Sequence, residues 1–128
     1  MNTDLSEWLK NKNLSSNLEE IILKIDDKIF PSAGERRLGN ISNMRISYGP
    51  SNSKRHSNII LFPKKGLNLV RLQIKFENYN NVDSETCRTE FGSPAIREHS
   101  HRFVEKEILS ASELTDELFI FLIKGINH

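Results

Sequence analysis

The chain has 128 residues, 37% of them hydrophobic and 27% charged, with a formal net charge of +1. That length suits one domain with one core, so residues 1–128 read as a single unit. The lone cysteine, Cys87, excludes an internal disulfide framework and a multi-cysteine zinc site. The longest apolar run, LFIFLI at 118–123, is too short to span a bilayer.

The N-terminal MNTDLSEWLKNKN has no apolar run of the signal-peptide kind. With a single thiol, this leads us to expect a cytoplasmic protein without membrane partners or disulfides. The small net charge hides a segregation along the chain. Residues 1–29 hold four Lys/Arg and six acids, a surplus of two negative charges. Residues 30–76 hold nine Lys/Arg and one acid, Glu35, a surplus of eight positive charges. Residues 77–128 hold five Lys/Arg and ten acids, a surplus of five negative charges.

Residues 1–15 read as a loosely packed segment in which Leu5, Trp8 and Leu9 form a turn or two of helix. Ser16 starts a clearer helix, with Glu19 at the capping-box spacing. Leu18, Ile21, Ile22, Ile25 and Ile29 follow at helical intervals, and Pro31 and Gly34 end it. From Met44 the period becomes two. Met44, Ile46 and Tyr48 alternate with Arg45 and Ser47, as in a half-buried strand. GPSNSKRHSN at 49–58 is a polar loop, IILF at 59–62 a short strand, and PKKG at 63–66 a turn with a positive φ expected at Gly66. In the next strand Val70, Leu72, Ile74 and Phe76 share one face, and Arg71, Gln73 and Lys75 the other, read as solvated.

Residues 77–98 have no clean period and read mostly as loop. His101 to Ile108 alternates like a strand. Ser110, with Glu113, caps a last helix whose buried stripe is Leu114, Leu118, Phe121 and Leu122 and whose stop is Gly125. The fold class is α+β: an antiparallel meander of four to five strands, with N-terminal and C-terminal helices packed on one face.

Four patterns could carry chemistry. In REHSHRF, His99 and His101 would point the same way on a strand and could share a metal. A working site needs three or four ligands, and no spacing brings them in. The two histidines therefore read as surface groups at the start of a strand. LQIKF at 72–76 resembles the acid–x–lysine strand of endonucleases, but Gln73 stands where the acid would be. Residues 36–76 hold no Asp or Glu to bind magnesium, so a nuclease is discounted. Arg88 beside Cys87 does not by itself activate the thiol. SAGERRLGN lacks the lysine and hydroxyl of a phosphate-binding loop.

The basic segment remains. Arg45, Lys54, Arg55, Lys64, Lys65, Arg71 and Lys75 would share one sheet face or its rim if their strands are neighbours. Such a patch attracts phosphates without reading sequence. Tyr48 and Tyr79 are the candidate stacking rings. Against this stands pairing of the cations with Glu98, Glu105 and Glu107.

The runs MRISYG, SNIILFPKKGLNLVRLQIKF and HRFVEKEILSASELTDELFIFLIKGI make the chain similar to a small bacterial domain family of unknown function. Its members are sometimes labelled "predicted transport protein". The likeness covers roughly residues 17–126 and rests on Tyr48, the Lys64–Lys65 turn, and the Ser110 to Glu113 cap. PAIREHSH replaces the family's usual glycine turn before the last strand. The family supplies no catalytic residues. Its members often accompany endonuclease-like domains, so the resemblance implies an accessory role in nucleic-acid metabolism or defence. The expectation is a non-enzymatic module, without cofactor, that binds nucleic acid or another polyanion. The alternatives are a protein-interaction subunit and a metal-dependent enzyme using His99 and His101.

Overall fold

The computed structural model describes residues 3–39, 44–49, 59–75 and 103–126. In chain order these form α1 (Thr3–Lys12), α2 (Ser16–Ala33), β1 (Glu35–Leu38), β2 (Ile46–Gly49), β3 (Ile59–Lys64), β4 (Leu69–Lys75), β5 (Phe103–Ile108) and α3 (Asp116–Ile126). The strands make one antiparallel sheet in the order β1-β2-β3-β4-β5. This is an α+β fold of the expected kind, a five-stranded meander with helices at both ends.

Period-two patterning decides which face takes the helices. Ile46, Tyr48, Ile59, Leu61, Val70, Leu72, Ile74 and Ile108 fall on one face through the register and are fully buried. The apolar stripe of α2, Leu18, Ile21, Ile22, Ile25 and Ile29, joins them in one core. Each such side chain contributes roughly 1.5–3 kcal/mol on burial. α2 packs against β1, β2 and β4, and α3 lies along α2 with Leu118, Phe119, Phe121, Leu122 and Ile126 buried.

The N-terminal segment is not loosely packed. Leu5, Trp8, Leu9 and Leu14 belong to the same core, and the Trp8 indole donates to the Gly39 carbonyl at 2.7 Å. Three leucines and a tryptophan within ten residues bury enough apolar area to hold a short helix down.

Several boundaries differ from the sequence reading, each for a local reason. Ser15, not Ser16, caps α2, its hydroxyl accepting from the Leu18 amide. α2 runs through Pro31 to Ala33 and ends at Gly34, whose φ of 84° is left-handed. Proline's missing donor costs one bond in a final turn, so the helix survives it. β1 was not anticipated. β3 continues through Pro63 to Lys64, because pairing with β2 ends at the Ile46–Leu61 pair and β3 is an edge beyond it. Between β3 and β4 the left-handed residue is Asn68 (φ 53°), not Gly66. Ser110 and Glu113 do form a capping box, but on a single 3-10 turn, Ala111–Glu113. The Thr115 hydroxyl accepts from Leu118 and starts α3 five residues later than expected. Gly125 lies within α3 rather than after it. The expected loop over 77–98 lies outside the described residues, and β5 is described from Phe103.

Candidate nucleic-acid interface

The candidate site lies on the sheet face away from α2. The register arranges that face in rows. One row runs Arg37, Ser47, Ile60, Gln73, Glu105 across β1 to β5. Ser47, Ile60, Gln73 and Glu105 in it are buried. Gln73 is 4% exposed and donates to the Glu105 carboxylate at 2.9 Å. The reading of Gln73 as solvated is therefore corrected: a cross-strand carboxylate satisfies its amide and lets it be buried.

The adjacent row is more exposed. Arg71 on β4 pairs with Phe62 on β3 and with Glu107 on β5. Arg45 stands one residue before β2, beyond the last β2–β3 pair, Ile46–Leu61. The row therefore reads Phe62, Arg71, Glu107 across β3 to β5. Arg45 is exposed and Phe62 half-buried. Lys64, two residues along β3 and so on the same face, holds its ammonium 5.6 Å from the centre of the Phe62 ring. The backbone at Arg45 is fixed: its carbonyl accepts from the Gly39 amide at 2.8 Å, and Gly39 in turn holds Trp8.

Arg71 donates to Glu107 at 3.1 Å, with side-chain exposures of 28% and 49%. A pair that wet contributes at most about 1 kcal/mol. It positions the guanidinium while leaving it exchangeable for a phosphate, which takes the same planar fork.

The seven cations expected on the face divide. Lys64 and Arg71 stand beside Phe62, and Arg45 is exposed just before β2. Lys65 does not join them: its ammonium donates to the Lys12 carbonyl at 3.0 Å, at the C-terminal end of α1, where the helix dipole favours a cation. Lys75 is on the same face by register, opposite Phe103, but four residues along β4 from Arg71, roughly 13 Å. Lys54 and Arg55 lie outside the described residues, as do His99, His101, Cys87 and Tyr79.

Two further basic residues of the segment are spent elsewhere. Arg37 pairs with Glu35 at 2.9 Å on the edge strand. Arg36 points to the core, where its Nη1 donates to both carboxylate oxygens of Asp26 at 2.9 Å. The Arg36 guanidinium also stacks 4.3 Å from the Phe30 ring. The Tyr48 hydroxyl donates to Asp26 at 2.7 Å. Burial pushes the Tyr48 phenol well above its ordinary value, as do the Asp26 charge and hydrogen bond, while Arg36 opposes them. Tyr48 is thus a core residue and not a stacking ring. The sequence reading missed Phe62 because it treated IILF as a wholly apolar strand. The signal was there in IILFPK: Phe62 alternates with Leu61 and is followed at i+2 by Lys64.

Among the described residues, no three His, Cys, Asp or Glu side chains come together as a metal would need, and no helix is long and apolar enough to cross a membrane. No family model matches the chain, and neither a curated protein nor a solved structure matches it.

Proposed function

We propose that the chain is a non-enzymatic module that binds nucleic acid through the more exposed row of its sheet. The observation that supports this most is the placing of Lys64 and Arg71 beside Phe62 on the face away from the helices, with Arg45 exposed just before β2. Phosphate binding asks for guanidinium and ammonium donors on a rigid platform, and three strands supply one. Nothing in the row distinguishes one base edge from another, so the reading is of binding by charge rather than by sequence.

Fluorescence anisotropy with labelled single- and double-stranded DNA and RNA tests it. Three phosphate contacts predict that raising salt from about 50 to about 200 mM weakens binding roughly twenty- to fortyfold. Arg71→Glu and Arg45→Glu should each weaken binding on all sequences alike, with folding unchanged. Binding that ignored both salt and charge reversal would overturn the reading. Absence of binding at low salt would turn attention to an acidic protein partner for the same face.

A further inference from the structure

We infer that the cavity between α1 and α2 binds a small organic cation, an ammonium group on an apolar body, with Asp27 as its anchor. This does not depend on the nucleic-acid reading, because the residues that line the cavity belong to the two helices and not to the outer sheet face.

The cavity has a volume of about 510 Å³. That size suits a small molecule, and such sites join an apolar wall to a few placed polar groups. The apolar wall is Leu5 of α1 with Leu23, Phe30 and Pro31 of α2. Leu23 is 46% exposed, a large apolar side chain left in water at the cavity. The apolar body of a ligand would cover it.

Pro31 decides the polar chemistry. In an α-helix the N–H of each residue donates to the carbonyl four residues earlier. Pro31 lies inside α2 and has no N–H, so the Asp27 carbonyl loses its helical donor. Asp27 lines the same cavity, and its side chain is exposed. Among the described residues no cation pairs with that carboxylate. Lys24, three residues earlier on the helix surface, is held elsewhere: its ammonium donates to the Ala111 carbonyl at 3.1 Å. The other carboxylate of the lining, Asp26, is balanced by Arg36. One residue therefore presents two acceptors, a freed carbonyl and an unbalanced carboxylate. An ammonium group matches them, with three N–H donors and a positive charge. Ser6, on the α1 side of the cavity, offers a hydroxyl oxygen to the third donor. A neutral alcohol has one donor and no charge, and an anion is repelled.

The test titrates the full chain with 2-phenylethylamine and with its uncharged match, 2-phenylethanol, followed by amide chemical shifts. The amine should saturate and bind at least about fivefold more tightly than the alcohol. Asp27→Asn, which removes the charge at an exposed position, should bring the amine to the level of the alcohol and leave the alcohol unchanged. Pro31→Ala restores the N–H that bonds the Asp27 carbonyl. It should weaken amine binding with no loss of thermal stability, since alanine suits a helix better than proline does. That pairing separates loss of a ligand contact from damage to the fold. An amine that fails to saturate, or that binds no better than the alcohol, would overturn the inference. So would either variant binding the amine as the parent does, and the nucleic-acid reading would be untouched.

Discussion

Neutralising Asp26 gives the most direct test of how the core is held. Its side chain is 5% exposed and that of Arg36 is 6% exposed, so both charges are out of water. Their attraction offsets the desolvation of each, and Arg36 Nε is already buried without a partner. Asp26→Asn keeps the shape and an acceptor for the Tyr48 hydroxyl, but leaves the guanidinium buried and uncompensated. Breaking a buried pair in this way costs about 3–5 kcal/mol. A domain this size has about 5–15 kcal/mol in all, so the loss is a large fraction. Arg36→Met alone should cost a similar amount by removing the guanidinium that offsets the buried carboxylate. The double variant should recover part of the summed loss, because neither charge is then left buried without the other. The expected coupling between the two sites is about 2–3 kcal/mol. Urea unfolding followed by the emission of Trp8, the one tryptophan in the chain and a core residue, measures all four proteins. If each single variant cost less than about 1 kcal/mol and the effects simply added, the pair would not be a desolvated ion pair and the reasoning would be refuted.

Tyr48 makes stability depend on alkaline pH. Its folded value lies above the unfolded value of about 10, so its contribution is intact below about pH 10 and falls above it, by up to about 1.4 kcal/mol per unit. Tyr48→Phe should lose about 1–3 kcal/mol at neutral pH and show a shallower alkaline decline, read from urea midpoints across pH; an unchanged decline would assign it to other groups. Leu5→Ala should cost about 2–5 kcal/mol because Leu5 is fully buried, and a loss below about 0.5 kcal/mol in thermal melts would mean that α1 is dispensable to the core. Gln73→Leu removes the donor at 2.9 Å from the buried Glu105; it should cost about 1–3 kcal/mol, and adding Glu105→Leu should restore part of that loss.

What was legible in the sequence was whatever repeats locally. α2 announced itself by an apolar stripe at helical spacing, and β4 by strict alternation from Val70 to Ile74. Both signals survive because one face of each element meets the core. β1 left no such trace. Its four residues, ERRL, show no apolar alternation, since the inward position is held by Arg36 and is made tolerable only by Asp26, ten residues earlier on another element. Gln73 misled for the same reason: a polar residue on a strand reads as solvent-facing until its partner, Glu105, is known to lie across from it. The last helix was shortened because Ser110 and Glu113 close a capping box around one turn, and Thr115 then caps afresh. In each case the missing information was a partner distant in sequence.

The charge layout makes the same point and leads to a sharper number. Eight surplus positive charges in residues 30–76 suggest a strongly basic face, yet the fold disperses them. Arg36 goes to the core, Arg37 to Glu35, and Lys65 to the end of α1. Antiparallel pairing of β4 with β5 brings Glu105 and Glu107 from the acidic C-terminal segment alongside Gln73 and Arg71. Segregation along the chain is thus largely undone in space, and three cations are left at or near the exposed row: Lys64 and Arg71 beside Phe62, and Arg45 just before β2. If those three alone meet phosphates, the logarithm of the single-strand binding constant should fall with the logarithm of salt at a slope of about −2. If Lys54, Arg55, Lys65 and Lys75 also take part, the slope steepens to about −5. A salt titration of the parent therefore counts the contacts. A slope near −2 that becomes shallower still in Arg71→Glu would locate the binding at the row that holds Arg71. A slope near −5 would mean that cations beyond these three also meet the strand, and the row would then be one edge of a larger site.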